Sequence, residues 1–459
     1  MNLFRFSLYV TVLLVLMLAG TFVLEPTQDN RAAPNRPPDT SLSSTLPDDV
    51  PLNEPGDPEK DRRAFNDFAW REFIALNWPA VEGVRGKPDQ NIPFGGKATS
   101  VVWESWKSVD ELFPPEPTTH PPTPWDSFDA VIAADHRNQA GELTLHQFPE
   151  IPTKDAGRKR VLSHITRLAL AEQADANDTQ IGPLVAQNGT YVRYEIRVNK
   201  APYEFLRILK CYLSANLPNG ANPPTPARRA RRVPFPCGSV VIKAAWMELT
   251  DQDDRKKFYH TQAILIDLKK DSPPIPRKAI VGLVGLHIAH KTPTRPSWVW
   301  ATFEHIDNTE PASCPSTGRA SFSRNDPSTA NDGGFDNKPN PIPAGTPPLA
   351  NPTPVDVLRI SPIHPITQTI NIYYHKNPLI QQTIWRYYQL VATQWVPAPD
   401  SGNPAVFPLS RFPTDYVANT TIETYRQNQS CIQCHISAND FQFIFFPTNL
   451  ASPRPKMPP

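Results

Sequence analysis

Proline is the feature that most restricts this chain, because it occupies 55 of the 459 positions whereas glycine occupies 19. Proline fixes the backbone dihedral φ and lacks an N–H donor, so it interrupts helices and avoids the middle of sheets. Its density predicts short elements joined by long loops and argues against a bundle of long helices. Aromatic residues form 10% of the chain, enough to fill a sizeable core, so we expect a folded protein.

The first residues indicate export. A basic residue, Arg5, precedes an uncharged and mostly apolar run over residues 6–24. A run of about 20 such residues fits either a cleaved signal peptide or a helical membrane anchor, and both place the rest of the chain outside the cytoplasm. We therefore treat residues 1–24 as a signal peptide or anchor. Residues 25–58, rich in Pro, Asp, Asn and Ser, are expected to form a solvated linker.

The body, residues 59–415, has the pattern of an α+β protein. Apolar residues recur at helical spacing over residues 59–78, which predicts a helix. Alternating or β-branched and aromatic runs predict strands over residues 191–199, 239–249, 258–267, 279–290 and 298–306. Because turns rather than helices separate these strands, we expect a largely antiparallel sheet with packed helices and long Pro-rich loops.

Further elements are expected toward the C-terminus. Residues 307–356, rich in Pro, predict a long surface loop, and residues 368–375 predict a strand. Residues 379–395 predict a helix, because their large apolar side chains lie close to one helical stripe. Thr420 and Glu423 form an S/T-x-x-E pair, which predicts a short helix running toward the cysteines that follow.

The last predicted unit, residues 416–459, carries the chemistry. Residues 431–435 read C-I-Q-C-H, the attachment signature of c-type haem. Residues at i and i+3 share one side of a helical turn, so the thiols of Cys431 and Cys434 can each form a thioether with one haem vinyl group. His435 can then bind the iron as an axial ligand. The sequence predicts one covalent haem c in a C-terminal haem-attachment segment.

Two other interpretations of residues 431–435 compete with haem. A zinc site could use Cys431, Cys434 and a histidine, although no second C-x-x-C or H-x₃₋₅-H pair completes four ligands. A disulfide between the two cysteines would suit a thioredoxin-like site, but such a site usually has its histidine between the cysteines. Export favours haem, since c-type haem is attached outside the cytoplasm in bacteria.

Residues 431–435 resemble the haem-attachment site of c-type cytochromes. The runs N-T-T-x-E-T-Y over residues 419–425, and G-L-H at 285–287 with T-F-E-H at 302–305, are similar to runs in large exported bacterial proteins of the cytochrome c family. The resemblance implies a monohaem c-type cytochrome. In small cytochromes of this kind the pentapeptide lies near the start of an all-helical domain and a Met ligand follows it. Here most of the chain precedes the pentapeptide and must form the haem pocket, and the downstream Met457 lies in a Pro-rich tail.

The sequence leaves the second axial ligand of the iron open. The weak candidates are His287, His290, His305 and Met247, with His375 at lower rank. His287 and His290 lie three residues apart on a predicted strand, so they should point to opposite faces. Residues 285–305 concentrate histidine and tryptophan, and within them Glu304 or His305 could act as an acid or base in an enzyme. Met247 is more typical of core filling.

The charge balance argues against a nucleic-acid binder, because 46 Lys+Arg face 45 Asp+Glu and the formal net charge is +1. A basic run over residues 228–232 is expected to be a solvated loop, or alternatively a docking patch for an acidic redox protein or anionic lipid. Cys211 and Cys237 flank this run and could form a disulfide in an oxidising compartment, which would leave Cys314 free.

Three functions fit these observations. The first is a periplasmic or otherwise extracytoplasmic c-type cytochrome that passes single electrons to a redox protein partner, with a membrane tether through residues 6–24 if these are retained. The second is a haem oxidoreductase of peroxidase-like type with an open distal position, for which the size of the body and residues 285–305 argue. The third is an exported binding module in which the haem is structural or sensory, for which the Trp-rich strands argue.

Overall fold

An eight-stranded sheet lies at the centre of the protein, seen here in a computed structural model. In chain order the strands are β1 (Lys107–Ser108), β2 (Ala134–Arg137), β3 (Leu143–His146), β4 (Arg160–Ser163), β5 (Val192–Val198), β6 (Val240–Glu248), β7 (His260–Lys269), β8 (Ser272–His290), β9 (Val299–His305) and β10 (Tyr388–Trp395). The sheet order is β1–β5–β6–β8–β7–β4, and β9 followed by β10 extends from the second half of β8. Seven strands are antiparallel to their neighbours, β4 joins β7 in parallel, and β2 pairs with β3 alone.

The structure describes residues 42–50, 57–114, 117–118, 121–128, 134–137, 143–146, 160–163, 184–213, 216, 234–269, 272–309, 320–323, 353–396, 417–425, 427, 430–435 and 440. These residues belong to one compact unit, Asp39–Pro459. The predicted signal peptide or anchor, the basic run at 228–232, Cys314 and Met457 lie outside the described residues, as does most of the predicted loop at 307–356. No helix in the described ranges is long and apolar enough to cross a membrane.

The helices of the described residues are α1 (Pro58–Leu76), α2 (Val109–Leu112), α3 (Lys200–Ile208), α4 (Pro365–His375), α5 (Pro378–Gln381) and α6 (Cys431–His435). Short 3₁₀ turns lie at Val102–Ser105, Arg255–Lys257 and Ile384–Tyr387. The prediction of an α+β fold is confirmed, and the five strands expected from the sequence correspond to β5 through β9. The helix expected over residues 59–78 is α1, which begins where the Asp57 carboxylate accepts the N–H groups of Glu59 and Lys60.

The helix predicted over residues 379–395 is wrong. Only α5 is helical there, and Tyr388–Trp395 is β10, which pairs antiparallel with β9. The Thr383 side chain accepts the N–H of Trp385 and starts a 3₁₀ turn, which ends the α-helical path. Half of the residues in the strand beyond it are β-branched or aromatic, and the edge of β9 offers them backbone partners. The apolar stripe was a coincidence of spacing.

The strand predicted over residues 368–375 is also wrong, because these residues belong to α4. Pro365 stands at the first helical position, and the His364 side chain accepts the N–H of Ile366. Ile366, Ile370 and Tyr374 are buried at intervals of four, whereas Ile372 is exposed. The spacing of the buried residues is therefore that of a helix, and the β-branched composition misled the prediction.

The two faces of the sheet carry different layers. On β9, Val299, Ala301, Phe303 and His305 point to the helix face, which α1 and α4 cover. The alternate residues Trp300, Thr302 and Glu304 point to the opposite face, which residues 417–435 cover. We call this second side the C-terminal face.

Aromatic stacking and a buried hydrogen bond to a side-chain amide hold α1 and α4 together on the helix face. The ring of Phe73 in α1 stacks on Phe303 with ring centroids 4.3 Å apart, and Trp70 stacks on Tyr374 of α4 at 4.9 Å. The indole N–H of Trp70 also donates to Asn371 Oδ1 at 2.9 Å. These contacts bury α1 and α4 as one layer.

Residues 42–50 lie inside the predicted linker, but they pack on the body. Val50 is buried against Phe65 and Phe68 of α1, and Asp49 accepts hydrogen bonds from the backbone and side chain of Thr294. The burial of Val50 and the two hydrogen bonds accepted by Asp49 offset the entropy lost when this stretch is ordered.

The disulfide expected between Cys211 and Cys237 is absent, and both are free thiols. Cys211 is buried in the apolar core beyond α3, where burial raises the pKa of its thiol. Cys237 is exposed in the turn before β6. The two side chains thus occupy different environments.

We expect Phe303→Ala to lower the free energy of unfolding by about 3–5 kcal/mol, because it leaves a cavity between α1 and the sheet. Ile372→Ala, at a side chain that is 55% exposed, should change it by less than about 0.5 kcal/mol. Urea unfolding followed by tryptophan fluorescence measures both. Equal effects of the two substitutions would contradict the described core.

Candidate functional site

The pentapeptide forms a helical turn, α6, that lies on the C-terminal face of the sheet. Ile432 is fully buried, and its N–H donates to Oε1 of Gln394 at the end of β10, at 2.9 Å. Cys431 is partly buried, with its Sγ 3.7 Å from the carbonyl oxygen of Val417. The helix is thus fixed to the sheet by a buried apolar side chain and a hydrogen bond at its start.

His435, at the end of α6, packs against Trp300 of β9. The centroids of the imidazole and indole rings are 4.6 Å apart, with their planes at 61°. Both side chains come from segments singled out in the sequence, His435 from the pentapeptide and Trp300 from residues 285–305. The structure therefore brings the pentapeptide and this segment together, through a tryptophan rather than a histidine.

The turn before α6 is fixed to the sheet by Asn419, which is fully buried. Its side-chain N–H₂ donates to Thr302 Oγ1 at 3.0 Å and to the carbonyl of Phe303 at 2.8 Å. Its Oδ1 accepts from the N–H and hydroxyl of Thr421. Every polar atom of the amide group has a partner, which is the condition for burying it.

The short helix predicted to begin at Thr420 is wrong, since residues 420–425 form turns. The Glu423 carboxylate accepts the N–H of Asn419 at 2.9 Å and not that of Thr420. The Thr420 hydroxyl instead donates to Glu304 on β9. Glu423 thus accepts the N–H one residue before the predicted one. Thr420, which would have started the helix, is hydrogen bonded to the sheet instead.

A glycine on β8 permits the close approach of this turn. A Cβ atom placed on Gly285 would lie 2.4 Å from Thr421 Oγ1 and 2.9 Å from Asn419 Oδ1. Real Cβ contacts are not this short, so only glycine fits beneath the turn. The Tyr194 hydroxyl on β5 adds a hydrogen bond of 2.5 Å to the carbonyl of Thr421.

The chain is fixed again beyond the pentapeptide, at Asp440. Its Oδ2 accepts from Lys291 Nζ at 2.6 Å and from the N–H of Phe235 at 2.8 Å. Lys291 follows β8 directly, so the same sheet holds the segment on both sides of α6. The position of the pentapeptide is therefore determined by the body.

His287 is the candidate histidine that points to the C-terminal face. Its Nε2 lies 3.2 Å from Oε2 of Glu423, in the turn that precedes α6. Burial opposes ionisation of Glu423, but His287, Lys243 and the N–H of Asn419 outweigh it, and the pKa of the carboxyl lies below its usual value. In this arrangement His287 fixes the turn.

His290 and His305 lie on the helix face, away from the pentapeptide. His290 Nδ1 is 2.6 Å from Oε1 of Glu72 in α1, and both side chains are buried. His305 Nε2 lies 2.9 Å from the carbonyl of Lys257, and its Nδ1 accepts the N–H of Asp307. His287 and His290 do point to opposite faces, as their spacing predicts.

The remaining ligand candidates are also held by the core. His375 Nε2 lies 2.8 Å from the carbonyl of Tyr388, in contact with Trp70 on the helix face. Met247 is fully buried in an apolar cluster that also contains Ile422, whereas Ile432 and Trp300 belong to a different cluster. Met247 has the surroundings of a core residue.

Glu304, considered as an acid or base, is engaged in a buried polar network. Its carboxylate pairs with Arg359 and accepts the Thr420 hydroxyl at 2.9 Å. Burial lowers the pKa of Arg359 to about 10, and Glu304 is 1% exposed. The carboxylate thus joins the turn to the sheet.

The described residues fit an attached haem. A helical turn puts positions 431 and 434 on one side, although the side chain of Cys434 lies outside the described part. Ile432 belongs to the main apolar cluster and Cys431 packs against it, and the buried indole N–H groups of Trp298 and Trp300 have no hydrogen-bond partner in the described ranges. Those ranges contain no cluster of three Cys, His, Asp or Glu side chains arranged to hold a metal ion.

Sequence reasoning missed the residues that position the site. Trp300 was seen only as part of a Trp-rich strand, and Gln394 was placed on a helix. Asp440 carried no signal at all. The alternation of Trp298 and Trp300 was the available clue, since residues two apart on a strand share a face.

Comparison with protein-family models, curated proteins and solved structures finds no match to this chain.

We expect Gly285→Ala to lower the free energy of unfolding by about 1–3 kcal/mol, because the added methyl group overlaps the turn. Hydrogen exchange of residues 417–425 should accelerate, since this turn must move. Thr421→Ala removes the nearest atom and should restore part of the stability when combined with Gly285→Ala. A double-mutant cycle measures this coupling, and strictly additive effects would contradict the close approach.

Buried His305 predicts a pH-dependent stability. Burial lowers its pKa from 6.5 to about 4, so between these values the unfolded chain binds more protons than the folded one. Stability should therefore fall by roughly 3 kcal/mol as the pH drops from 6.5 to 4. His305→Gln should flatten this profile in urea titrations. His260→Gln, at an exposed position on β7, should leave it unchanged; a profile that His305→Gln does not alter would refute the assignment.

Proposed function

We propose that this chain is an extracytoplasmic protein that binds one haem covalently at Cys431 and Cys434, with His435 as an axial iron ligand, and transfers single electrons. The observation that carries the proposal is the pentapeptide itself: it forms a helical turn fixed to the sheet, with His435 packed on Trp300. When bound, the haem supplies a one-electron iron couple.

The residues around the pentapeptide favour a fixed attachment site. Gln394 holds the start of α6, Asn419 fixes the turn before it, and Asp440 fixes the chain after it. Trp300 limits rotation of the His435 ring by packing against it. Such constraints keep an axial ligand in one orientation, so little rearrangement accompanies a change of charge on the metal.

The polar side chains on the C-terminal face argue against the acid or base that the oxidoreductase alternative requires. His287 is engaged with Glu423, and Glu304 is engaged with Arg359 and Thr420. An acid or base in an enzyme must reach its substrate, and here both groups hold the turn. The partner would then be a redox protein, and nucleic acid is disfavoured by the net charge of +1.

Location follows from the same proposal. Attachment of c-type haem takes place outside the bacterial cytoplasm, and residues 6–24 have the composition of an export signal or anchor. We place the protein in the periplasm, on a membrane tether if those residues are retained.

Expression with an export signal and a c-type maturation system should give about one haem per chain that survives denaturing electrophoresis, because thioethers are covalent. Pyridine haemochrome spectra measure the ratio. Cys431→Ala with Cys434→Ala should abolish the covalent haem, whereas Cys237→Ala, at an exposed free thiol, should retain it. A wild-type protein that carries no covalent haem would refute the proposal.

The optical spectrum of the same protein separates the two haem functions. Electron transfer predicts a low-spin haem in both oxidation states that does not bind CO or cyanide, because both axial positions are filled. A high-spin haem that binds these ligands would favour the oxidoreductase instead.

A further inference from the structure

Two buried indole groups on the sequence that begins β9, one of them in contact with the pentapeptide, lack a hydrogen-bond acceptor among the described residues. Trp298 is fully buried and Trp300 is 5% exposed, and the Nε1 atom of each has no partner among the described residues. An unpaired buried donor is unfavourable, because its hydrogen bond to water is lost on folding and no other acceptor replaces it. Most buried tryptophans of native proteins find a partner, so two such donors, Trp300 on β9 and Trp298 directly before it, indicate that something else supplies acceptors here.

The two indoles flank the haem-attachment segment. Trp300 contacts His435 at the end of α6. Trp298 lies against Phe235, with ring centroids 5.8 Å apart, and Lys291 Nζ is 6.0 Å from its ring centroid. Both Lys291 and the backbone of Phe235 bind Asp440, so Trp298 lies where the chain is fixed again after the pentapeptide.

The backbone at Trp298 supports a specific role for its side chain. Its φ is +71°, in the left-handed region that favours glycine, and bulky residues adopt it rarely. A glycine would relieve this strain, yet the position carries the largest side chain and buries it completely. Strain of this kind persists where the surroundings hold a side chain in a required place.

The missing partner must be an acceptor. An indole N–H can only donate, and both indoles belong to the main apolar cluster. Haem suits such surroundings, since it is an apolar macrocycle that carries two carboxylates as its strong acceptors. Resting on the proposed function, we propose that the indole N–H groups of Trp298 and Trp300 donate hydrogen bonds to the carboxylates of the bound haem.

The holoprotein tests this proposal through Trp298→Phe and Trp300→Phe, which keep an aromatic ring and remove the N–H. Trp395→Phe is the matched control, because Trp395 stacks on Phe65 on the helix face. The readouts are the propionate bands in resonance Raman and infrared spectra and the midpoint potential. Each test variant should shift the propionate bands and lower the midpoint potential. A carboxylate that has lost its hydrogen-bond donor keeps more of its negative charge, and this charge stabilises the oxidised iron. The control should leave both unchanged.

A second measurement, made on the wild-type protein, tests the proposal even if the two variants do not fold. In wild-type holoprotein labelled with ¹⁵N-indole, the indole protons assigned to Trp298 and Trp300 should resonate at low field and exchange slowly with solvent, as that of the hydrogen-bonded Trp70 does. Covalent haem with unchanged propionate bands in both variants, or indole protons that exchange freely, would overturn this inference and leave the proposed function intact. A water molecule as the acceptor would also leave the bands unchanged and would overturn it. Failure of the wild-type chain to bind haem would instead overturn the proposed function.

Discussion

The docking of residues 417–425 on the C-terminal face is the constraint on which the site depends. Asn419 makes it possible, since its amide group satisfies two acceptors on β9 and two donors of its own turn. Gly285 provides the room. Each feature needs the other: an unpaired buried amide would be unfavourable, and a side chain at position 285 would keep the amide from its partners. Because the pentapeptide follows this turn, its placement depends on that fit.

The C-terminal face is divided into a polar part and an apolar part. Under the turn, Glu423 faces His287, and Glu304 faces Arg359. Buried charges of this kind contribute little net stability, because desolvation offsets their attraction, but removal of one partner is strongly unfavourable. The polar part therefore favours one register of the turn on the sheet over others.

The apolar part has the opposite character. The buried indole N–H groups of Trp298 and Trp300 lack acceptors among the described residues. In the polar part each charged group faces an opposite charge of the chain itself, whereas the two indoles have no acceptor among the described residues. A ligand that carries acceptors would gain from these indole donors, and Trp300 is in contact with His435.

The sequence predicted the sheet because alternation is a local property that the final fold preserves. Strands β5 to β9 were each readable from their own residues. The prediction failed at α4 and β10 because contacts distant in sequence determine both elements. Tyr388–Trp395 forms a strand by pairing with the edge of β9, and Pro365–His375 forms a helix that buries one face against α1. The pentapeptide was recognisable because its chemistry requires a fixed spacing, whereas Gln394 and Asp440 acquire meaning only through contacts distant in sequence.

The two faces also limit which side chain could complete the coordination of an iron held by His435. His290, His305 and His375 lie on the helix face, and Met247 is enclosed in a separate cluster, so His287 is the candidate on the correct face outside that cluster. His287, however, holds Glu423, and Glu423 holds the turn before α6. An imidazole that left the carboxylate for a metal would leave a buried negative charge without its histidine, with Lys243 and the N–H of Asn419 to offset it. Ligation by His287 and docking of the turn therefore compete, and any such ligation would be coupled to movement of residues 417–425.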